Sequence, residues 1–353
     1  PTTNTIVWQY GQTGVSGAGP NQLSYPNEAI PLTNGNILIA DTYNDRIIEV
    51  KTSDNSIVNT IDPAKLGSAT MPFKPVDIKR CVAYPGGTPT LLITNMAYNE
   101  VIEVEYPSGN YYWKCGHGAL TFDKPWEAEK RPGMGTPTYL ITTRGGANSL
   151  VQIVERNGSS DGMAIWQLGF AEVQLNDPRD ARWTPCGNVL VTDTDNKRVI
   201  EVGTRTDTIV WEYIYPQYQP PFYGTFTPYE ATIIENGNIL IAGAVGQTPP
   251  MDDDNQDGIY PNSSNTGILE VSRDKFLEWS YLGGDYRFVD VEEKGIINIA
   301  KIEYQDMGYK TMKPTLAGVV VPIFQPEIIM YGTPTIAATK TVSPGGPQQP
   351  GAT

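Results

Sequence analysis

The stretch GNILIADTYNDRIIEV at residues 35–50 returns almost unchanged as GNVLVTDTDNKRVIEV at residues 187–202. Both copies contain a short apolar run, a polar corner with Asp, Asn and Arg at matching places, and a β-branched run that ends in Glu-Val. Short apolar and β-branched runs separated by turn residues predict antiparallel strands. Self-similarity at a long spacing indicates a repeat architecture, so the number of copies decides the fold.

The apolar strand of this unit occurs six times. Its copies are NILIA (36–40), TLLIT (90–94), TYLIT (138–142), NVLVT (188–192), NILIA (238–242) and IINIA (296–300). An acidic residue precedes each copy, a β-branched strand follows it, and a fourth strand, often with Trp, completes the unit. Four strands repeated every 50 residues or so predict an all-β, six-bladed β-propeller with four-stranded blades. Two stacked sandwiches are the alternative, but they give no reason for six matching units.

The segments at 19–50 and 176–202 resemble NHL repeats. They share a leading Pro, a Gly-Asn-hydrophobic middle strand and a D-x-x-N-x-R-[IV] corner. The match is good in the first and fourth units, partial in the second and poor in the other three. The resemblance implies a six-bladed NHL-like propeller over most of the chain. It implies no single function, because such propellers include enzymes, scaffolds and binding modules.

Composition excludes several classes of protein. The chain has 353 residues, 18 % of them charged, with 35 Gly, 29 Pro and 20 Tyr, which is unlike a coiled coil, a helix bundle or a disordered acidic tail. A formal charge of −14 would repel nucleic acid. No apolar run reaches the length of a transmembrane segment. Few lysines and many Thr, Asn and Tyr residues predict a secreted protein, extracellular or on the cell surface.

Fourth strands outnumber the blades by one. TIVWQYG (5–11) is a near copy of TIVWEY (208–213), and it competes with PEIIMYG (326–332) for the last blade. The surplus strand either lies on its own molecule as a fifth strand or pairs with an edge of another copy. The second alternative predicts a filament or tube, because a head-to-tail contact that does not close on itself continues indefinitely.

This count divides the chain into three parts. They are an extra N-terminal strand (1–11), the propeller (12–332) and an extended Pro/Gly-rich C-terminal tail (333–353). Exchange of the terminal strand and tail between copies would make the protein a homo-polymer. The residues expected in that contact are Thr5, Ile6, Val7, Trp8, Gln9, Tyr10, Ile328, Ile329, Met330 and Tyr331.

Six carboxylates mark equivalent positions at the start of the innermost strands. They are Glu28, Asp77, Glu127, Asp180, Glu230 and Asp290. Sixfold geometry gathers them around one mouth of the central channel, where like charges about 8 Å apart would repel by roughly 2 kcal/mol per pair. Three compensations stay open: hydrogen bonds from backbone N–H groups of adjacent blades, partial protonation, or a bound cation.

A second acidic cluster lies in MDDDNQDG (251–258). Asp253, Asn255 and Asp257, followed by Gly258, fit the pattern in which alternate oxygens bind Ca²⁺. The twelfth position would be Ser264 rather than Glu, so the segment is not an EF-hand. A calcium loop and a solvated acidic loop both stay open, and calcium is the one cofactor that the sequence predicts.

Evidence for an enzyme is limited. The single histidine, His117, excludes three-histidine zinc sites. Calcium-dependent lactonase-like propellers use Glu, Asn and Asp, so a hydrolase on the acidic face stays an alternative. A glycan- or ligand-binding propeller is a third hypothesis, with Trp126 and Trp183 beside the acidic positions as stacking groups. The sequence favours a structural propeller that is not an enzyme.

Overall fold

The computed structural model describes residues 6–12, 15–82, 87–131, 133, 135–145, 148–158, 161–169, 173–216, 225–246, 265–283, 286–294, 297–305, 319–320 and 327–331, without side chains beyond residue 280. The predicted tail at 333–353 lies outside these ranges. Inside them the helical segments are two 3₁₀ turns, Thr42–Asn44 and Met96–Tyr98. None of the described helices has the length and apolar character needed to cross a bilayer.

A first strand, β1 (Ile6–Gly11), is followed by five four-stranded antiparallel sheets, each of which is a blade. From the innermost to the outermost strand they are blade 1, β2–β5 (Glu28–Pro31, Ile37–Asp41, Arg46–Val50, Ile57–Ile61); blade 2, β6–β9 (Pro75–Val82, Pro89–Asn95, Glu100–Glu105, Tyr111–Cys115); blade 3, β10–β13 (Pro125–Lys130, Thr138–Gly145, Asn148–Arg156, Gly162–Leu168); blade 4, β14–β17 (Pro178–Trp183, Val189–Asp193, Arg198–Gly203, Thr208–Ile214); and blade 5, β18–β21 (Thr225–Ile233, Ile239–Gly246, Asn265–Val271, Leu277–Gly283).

The other strands form one five-stranded sheet, called here the terminal sheet. Its order is β22 (Tyr286–Lys294), β23 (Ile297–Gln305), β24 (Val319–Val320), β25 (Glu327–Tyr331) and β1. β22 packs against blade 5. The predicted all-β propeller with four-stranded blades is thus confirmed, but the predicted number is wrong. Five such blades are described rather than six, because the last repeat forms a mixed sheet in which β24 pairs in parallel with β23.

The hydrophobic core lies between consecutive blades. All five residues of β3 and of β15 are buried, because these strands have a blade on either side. In β13 the exposure alternates along the strand, as expected for an outer strand with one covered face. Between blades 4 and 5, Trp211 and Val199 pack with Ile241 and Leu269 in one cluster.

The polar corner of the repeat ties the loop before the blade to the third strand in blades 1 and 4. Asp41 Oδ2 accepts hydrogen bonds from Arg46 Nε at 2.7 Å and Asn44 Nδ2 at 2.8 Å. In blade 4, Asp193 Oδ2 accepts from Arg198 Nε at the same 2.7 Å. Arg46 also donates to backbone carbonyls in the loop before β2, including that of Gln22. The motif that resembles NHL repeats is therefore a structural clamp.

A tryptophan in the outermost strand ties each of three blades to the next. The indole N–H groups of Trp113, Trp166 and Trp211 donate to Asp161 O (2.7 Å), Asp207 Oδ1 (2.6 Å) and Arg273 O (2.9 Å). Each acceptor lies in the turn between the third and fourth strands of the following blade. One residue before each of these tryptophans the outer strand carries an extra, bulged residue opposite its partner strand.

β1 reproduces both features of an outermost strand. Trp8 Nε1 donates to Asn55 Oδ1 at 2.7 Å, and Asn55 lies in the turn between the third and fourth strands of blade 1. The register of β1 against β25 shifts between Ile6 and Trp8, so the bulged residue is again the one before the tryptophan. β1 therefore holds the outermost place in its sheet. The register between β1 and β25 matches the register between the fourth and third strands of a regular blade.

The terminal sheet contains the surplus strand that the count predicted. The segment PEIIMYG lies at β25, the fourth strand of this sheet, and β1 is the fifth. β1 lies on its own molecule, and the segments predicted to join different copies pair with each other: Trp8 with Met330, Gln9 with Ile329 and Tyr10 with Ile328. Thr5 lies outside the described residues.

Candidate functional site

The predicted acidic positions lie in the innermost strands, within the first three residues in blades 1 to 4 and further along the strand for Glu230 and Asp290. Asp77, Asp180 and Glu230 pair across the ladder with Thr94, Thr192 and Ala242 of the second strands. The register shifts just before the acid in blades 2, 3, 4 and 5, so a bulged residue precedes the carboxylate. Such a bulge re-aims the side chain that follows it.

These carboxylates are mostly removed from solvent. Glu28, Asp77, Asp180 and Glu230 are each 5 % exposed or less, and Glu127 is half-buried. Asp290 belongs to β22, but its side chain lies outside the described part of the chain. Buried carboxylates need hydrogen bonds or counter-charges, and the structure supplies both.

Lys79 joins the acids of blades 2 and 3. Its Nζ lies 3.0 Å from Asp77 Oδ1 and 3.2 Å from Glu127 Oε1. Burial alone would lower the pKa of Lys79, but the carboxylates of Asp77, Glu127 and Glu28 outweigh burial and raise that pKa well above its usual value. Lys79 is therefore a fixed positive charge between these carboxylates.

Arg182 joins the acids of blades 3, 4 and 5. Its Nε lies 3.3 Å from Asp180 Oδ1, its Nη2 lies 3.8 Å from Glu127 Oε1, and it forms a close ion pair with Glu230. Glu127 therefore stands between two cations, Lys79 and Arg182.

The two aspartates also accept backbone hydrogen bonds from neighbouring blades. Asp77 Oδ2 accepts from Ala128 N of blade 3 at 3.2 Å, and Asp180 Oδ2 accepts from Ala231 N of blade 5 at 3.0 Å. Each donor directly follows the acid of its own blade in sequence. The acidic positions thus link adjacent innermost strands.

Partial protonation remains part of the compensation. Burial raises the pKa of Asp77, although Lys79 opposes the shift. Burial and then the negative charge of Glu127 raise the pKa of Asp180 well above its usual value, against the pull of Arg182. Both shifts favour the protonated form of these aspartates more than in an exposed carboxyl group.

Sequence reasoning missed Lys79 and Arg182, although a signal was present. Each follows its aspartate by two residues, in Asp77-Ile-Lys79 and Asp180-Ala-Arg182. Residues two apart in a strand share one face of the sheet, so a basic residue at this spacing lies beside the acid. The corner arginines Arg46 and Arg198 do not compensate these acids, because they bind Asp41 and Asp193.

The tryptophans beside the acidic positions already stack on arginines. The guanidinium of Arg144 lies 4.1 Å from the ring centre of Trp126. The guanidinium of Arg131 lies 4.5 Å from the ring centre of Trp183. A cation covers one face of each indole, which leaves less ring surface for a sugar.

The predicted calcium residues Asp253, Asn255 and Asp257 lie outside the described residues. Within the described ranges, no group of three or more His, Cys, Asp or Glu side chains is arranged to hold a metal ion. His117 is exposed, and its ring centre lies 4.1 Å from that of Tyr98. Burial raises the pKa of the nearby Cys115 thiol to about 12, so this thiol stays protonated at neutral pH.

Comparison with known proteins bears on the fold alone. No family model matches the chain, so membership of the NHL family is not confirmed, and no curated protein matches it either. Hydrazine synthase from Kuenenia stuttgartiensis is similar in structure, with a TM-score of 0.52 and 13 % identity over 82 % of this chain and 75 % of that one. At this level of identity the similarity supports the fold and gives no information about activity.

Two other solved structures are less similar. A protein of unknown function from Bacteroides caccae has a TM-score of 0.44 and 13 % identity over 73 % of this chain and 81 % of that one. A streptogramin B lyase has a TM-score of 0.48 and 12 % identity over 79 % of this chain and 74 % of that one. Neither adds to the argument.

Proposed function

We propose that the protein is a structural β-propeller, secreted and not an enzyme, that assembles with copies of itself through the pairing of β1 with β25. This pairing is called the terminal seam. The observation that carries the proposal is the seam itself, which joins the two ends of the chain in neighbouring strands.

The terminal seam differs from the other antiparallel pairings that the structure describes. Those pairings join strands that follow one another along the chain, whereas β1 and β25 lie at opposite ends of it. A β1 strand from one copy can therefore occupy the place beside β25 of another copy with no change in connectivity. Exchange of identical elements between protomers is a low-cost route to assembly.

The other contacts of β1 indicate that this strand and blade 1 move together if strands are exchanged between copies. Tyr10 is fully buried, Gly11 N donates to Asn21 Oδ1 at 2.8 Å, and Trp8 is held by Asn55. β1 is thus attached to blade 1, and the β25 side of the seam is the side that can change partners. A head-to-tail chain of copies follows if each β25 accepts the β1 of its neighbour.

The contacts of the acidic residues favour a structural role over a catalytic one. Lys79 and Arg182 stand among these carboxylates and form ion pairs with them. Their ion pairs and the backbone hydrogen bonds to Asp77 and Asp180 give these acids a structural role. The alternatives, a calcium-dependent lactonase or hydrolase and a glycan-binding propeller, have no comparable set of described contacts behind them.

A disulfide across the terminal seam tests the proposal. Gln9→Cys and Ile329→Cys are introduced together in a Cys186→Ser background, because Cys186 is an exposed thiol. Directly paired residues in antiparallel strands have Cα atoms about 4.5–5.5 Å apart, which suits a disulfide. Oxidation of the native assembly should give a ladder of covalent multimers on a non-reducing gel, and electron microscopy should show filaments or tubes.

The pair Glu155→Cys and Met163→Cys is the matched control, since these residues face each other within blade 3. It should cross-link only within one chain. A single cross-linked monomer from the seam pair, with one monodisperse species in solution, would contradict assembly. Calcium-dependent turnover of a lactone by that monomer would favour the hydrolase instead.

A further inference from the structure

The sequence contains three Asn-Gly pairs, and all three lie in turns that the structure describes. They are Asn34-Gly35 in blade 1, Asn157-Gly158 in blade 3 and Asn236-Gly237 in blade 5. Glycine has no Cβ, so its backbone nitrogen can approach the side-chain amide of the asparagine before it. All three asparagines are exposed. Access to solvent therefore does not distinguish the three pairs, whereas their hydrogen bonds do.

The asparagines in blades 1 and 5 are held at both ends of the amide. Asn34 Nδ2 donates to Glu49 Oε1 at 3.0 Å, and Asn34 Oδ1 accepts from a backbone N–H two residues on, also at 3.0 Å. Asn236 repeats this arrangement, with Nδ2 donating to Glu270 Oε1 at 3.0 Å and Oδ1 accepting from a backbone N–H at 2.9 Å. Asparagine side chains commonly bond to nearby backbone in this way.

The glycine nitrogens of these two pairs are bonded as well. Gly35 N donates to Leu32 O at 3.0 Å, and Gly237 N donates to Ile234 O at 2.8 Å. In blades 1 and 5 both the amide of the asparagine and the nitrogen of the glycine are therefore restrained.

The pair in blade 3 has different contacts. It lies in the turn between β12 and β13. The hydrogen bonds described for it run from Asn157 N to Asp161 O at 3.2 Å and from Arg156 Nε to Gly158 O at 2.6 Å. Neither bond involves the side-chain amide of Asn157 or the backbone nitrogen of Gly158. The restraints seen in the other two pairs are not among the described contacts of this one.

We propose that Asn157 is a site of spontaneous deamidation. The backbone nitrogen of Gly158 attacks Cγ of Asn157, the new N–C bond forms, and the Cγ–Nδ2 bond breaks with release of ammonia. Water then opens the cyclic imide at either of its carbonyl groups. The products are aspartate and isoaspartate, each of which carries a negative charge where asparagine is neutral.

The turn that changes is a contact between blades 2 and 3. Asp161 O accepts from Asn157 N and also from the indole N–H of Trp113, at 2.7 Å. In isoaspartate the main chain runs through the side-chain carbon and gains a methylene group, so the spacing between residue 157 and Asp161 changes. Isoaspartate at this position therefore weakens the contact with Trp113, whether or not copies assemble through the terminal seam.

Incubation of the full chain in mildly alkaline buffer, followed by proteolysis and mass spectrometry, tests the proposal. The peptide with Asn157 should convert from amide to acid at least about tenfold faster than those with Asn34 and Asn236, which must open locally before they react. Glu270→Ala is the matched variant, because it removes the acceptor of Asn236 Nδ2. It should accelerate conversion of Asn236 and leave Asn157 unchanged.

Equal rates at the three asparagines, or no acceleration of Asn236 in Glu270→Ala, would overturn the proposal. So would a glycan on Nδ2 of Asn157 in protein from its native source. Asn157, Gly158 and Ser159 also fit the acceptor pattern for N-linked glycans, and a glycan at this nitrogen would block the release of ammonia.

Hydrogen exchange tests the effect on the contact between blades. In the fraction that carries isoaspartate, amides of β9, the strand of Trp113, should exchange about tenfold faster than in fresh protein, because a contact that protects this strand is weakened. Amides of β17 should not change. Equal exchange of β9 in the two fractions would overturn the predicted effect on Trp113.

Discussion

The indole Nε1 of Trp8 donates a 2.7 Å hydrogen bond to Oδ1 of Asn55, 47 residues along the chain. The same bond joins Trp166 of blade 3 to Asp207 of blade 4, at 2.6 Å. The N-terminal strand therefore has the same relation to blade 1 that the outermost strand of one blade has to the next. This contact attaches the start of the chain to the ring.

Trp8→Phe should lower the free energy of unfolding by about 1 kcal/mol, since it removes one hydrogen bond and keeps most of the ring. Trp166→Phe is the matched control and should cost about the same. Urea unfolding followed by circular dichroism measures both. A Trp8→Phe variant as stable as the wild type, with Trp166→Phe destabilised, would show that β1 does not act as an outermost strand.

Lys79→Met should be strongly destabilising. It leaves Asp77 and Glu127 without the ammonium that lies between them, and removal of one partner from a buried ion pair costs about 3–5 kcal/mol. Lys51→Met is the control, because the Lys51–Asp54 pair is about half exposed on both sides and such exposed pairs contribute little to stability. Equal losses in the two variants would rule out a structural role for Lys79.

Asp180→Asn should change how stability depends on pH. Burial and Glu127 raise the pKa of Asp180 in the folded protein. Between the usual pKa near 4 and the raised value, the folded state binds a proton that the unfolded state has released, so stability falls as pH rises. The variant lacks this loss, and its stability relative to the wild type should increase as pH rises from about 4 through the raised pKa.

Asp177→Asn is the control, because the effect of Asp177 on stability should change with pH in the opposite direction. Burial alone would raise the pKa of Asp177, but the guanidinium groups of Arg144 and Arg179 outweigh burial and hold that pKa well below its usual value. The wild type should therefore gain stability over Asp177→Asn as pH rises from about 2 to about 5. Urea unfolding at a series of pH values checks both slopes, and parallel slopes for the two variants would contradict the charge assignments.

The loop at 251–258 stays a predicted calcium site. If Asp253, Asn255 and Asp257 bind Ca²⁺, millimolar calcium should raise the midpoint of thermal unfolding, because a ligand that binds only the folded state stabilises it. The double variant Asp253→Ala, Asp257→Ala should abolish this shift, and magnesium at the same concentration should not replace calcium. An unchanged midpoint in the wild type would identify the segment as a solvated acidic loop.

Local patterns predicted the parts of this molecule that depend on neighbours in sequence. The apolar runs at Ile37–Asp41 and Val189–Asp193 form second strands, as the repeat indicated. The carboxylates of Asp77 and Asp180 lie at equivalent places in their blades. Such features follow from strand periodicity and need no knowledge of which blade lies beside which.

Contacts between blades could not be predicted in the same way. Lys79 neutralises Glu127, 48 residues further on and in another blade. Strand composition does not specify such a partner, because the distance between two blades is set by the whole ring. The place of β1 could not be chosen between its alternatives for a similar reason. Sequence similarity makes β1 a copy of the outer strands, whereas the sheet order puts it fifth, beside β25.

The sequence by itself determined the kind of unit and its repetition, because alternating apolar side chains and turn residues act within a few positions of the chain. Only the tertiary structure decided how the units meet. It showed which cations sit between the buried carboxylates, and it paired Trp8 with Met330 across the two ends of the chain. Those pairings depend on distances between residues far apart in sequence, which become fixed only when the sheets pack side by side.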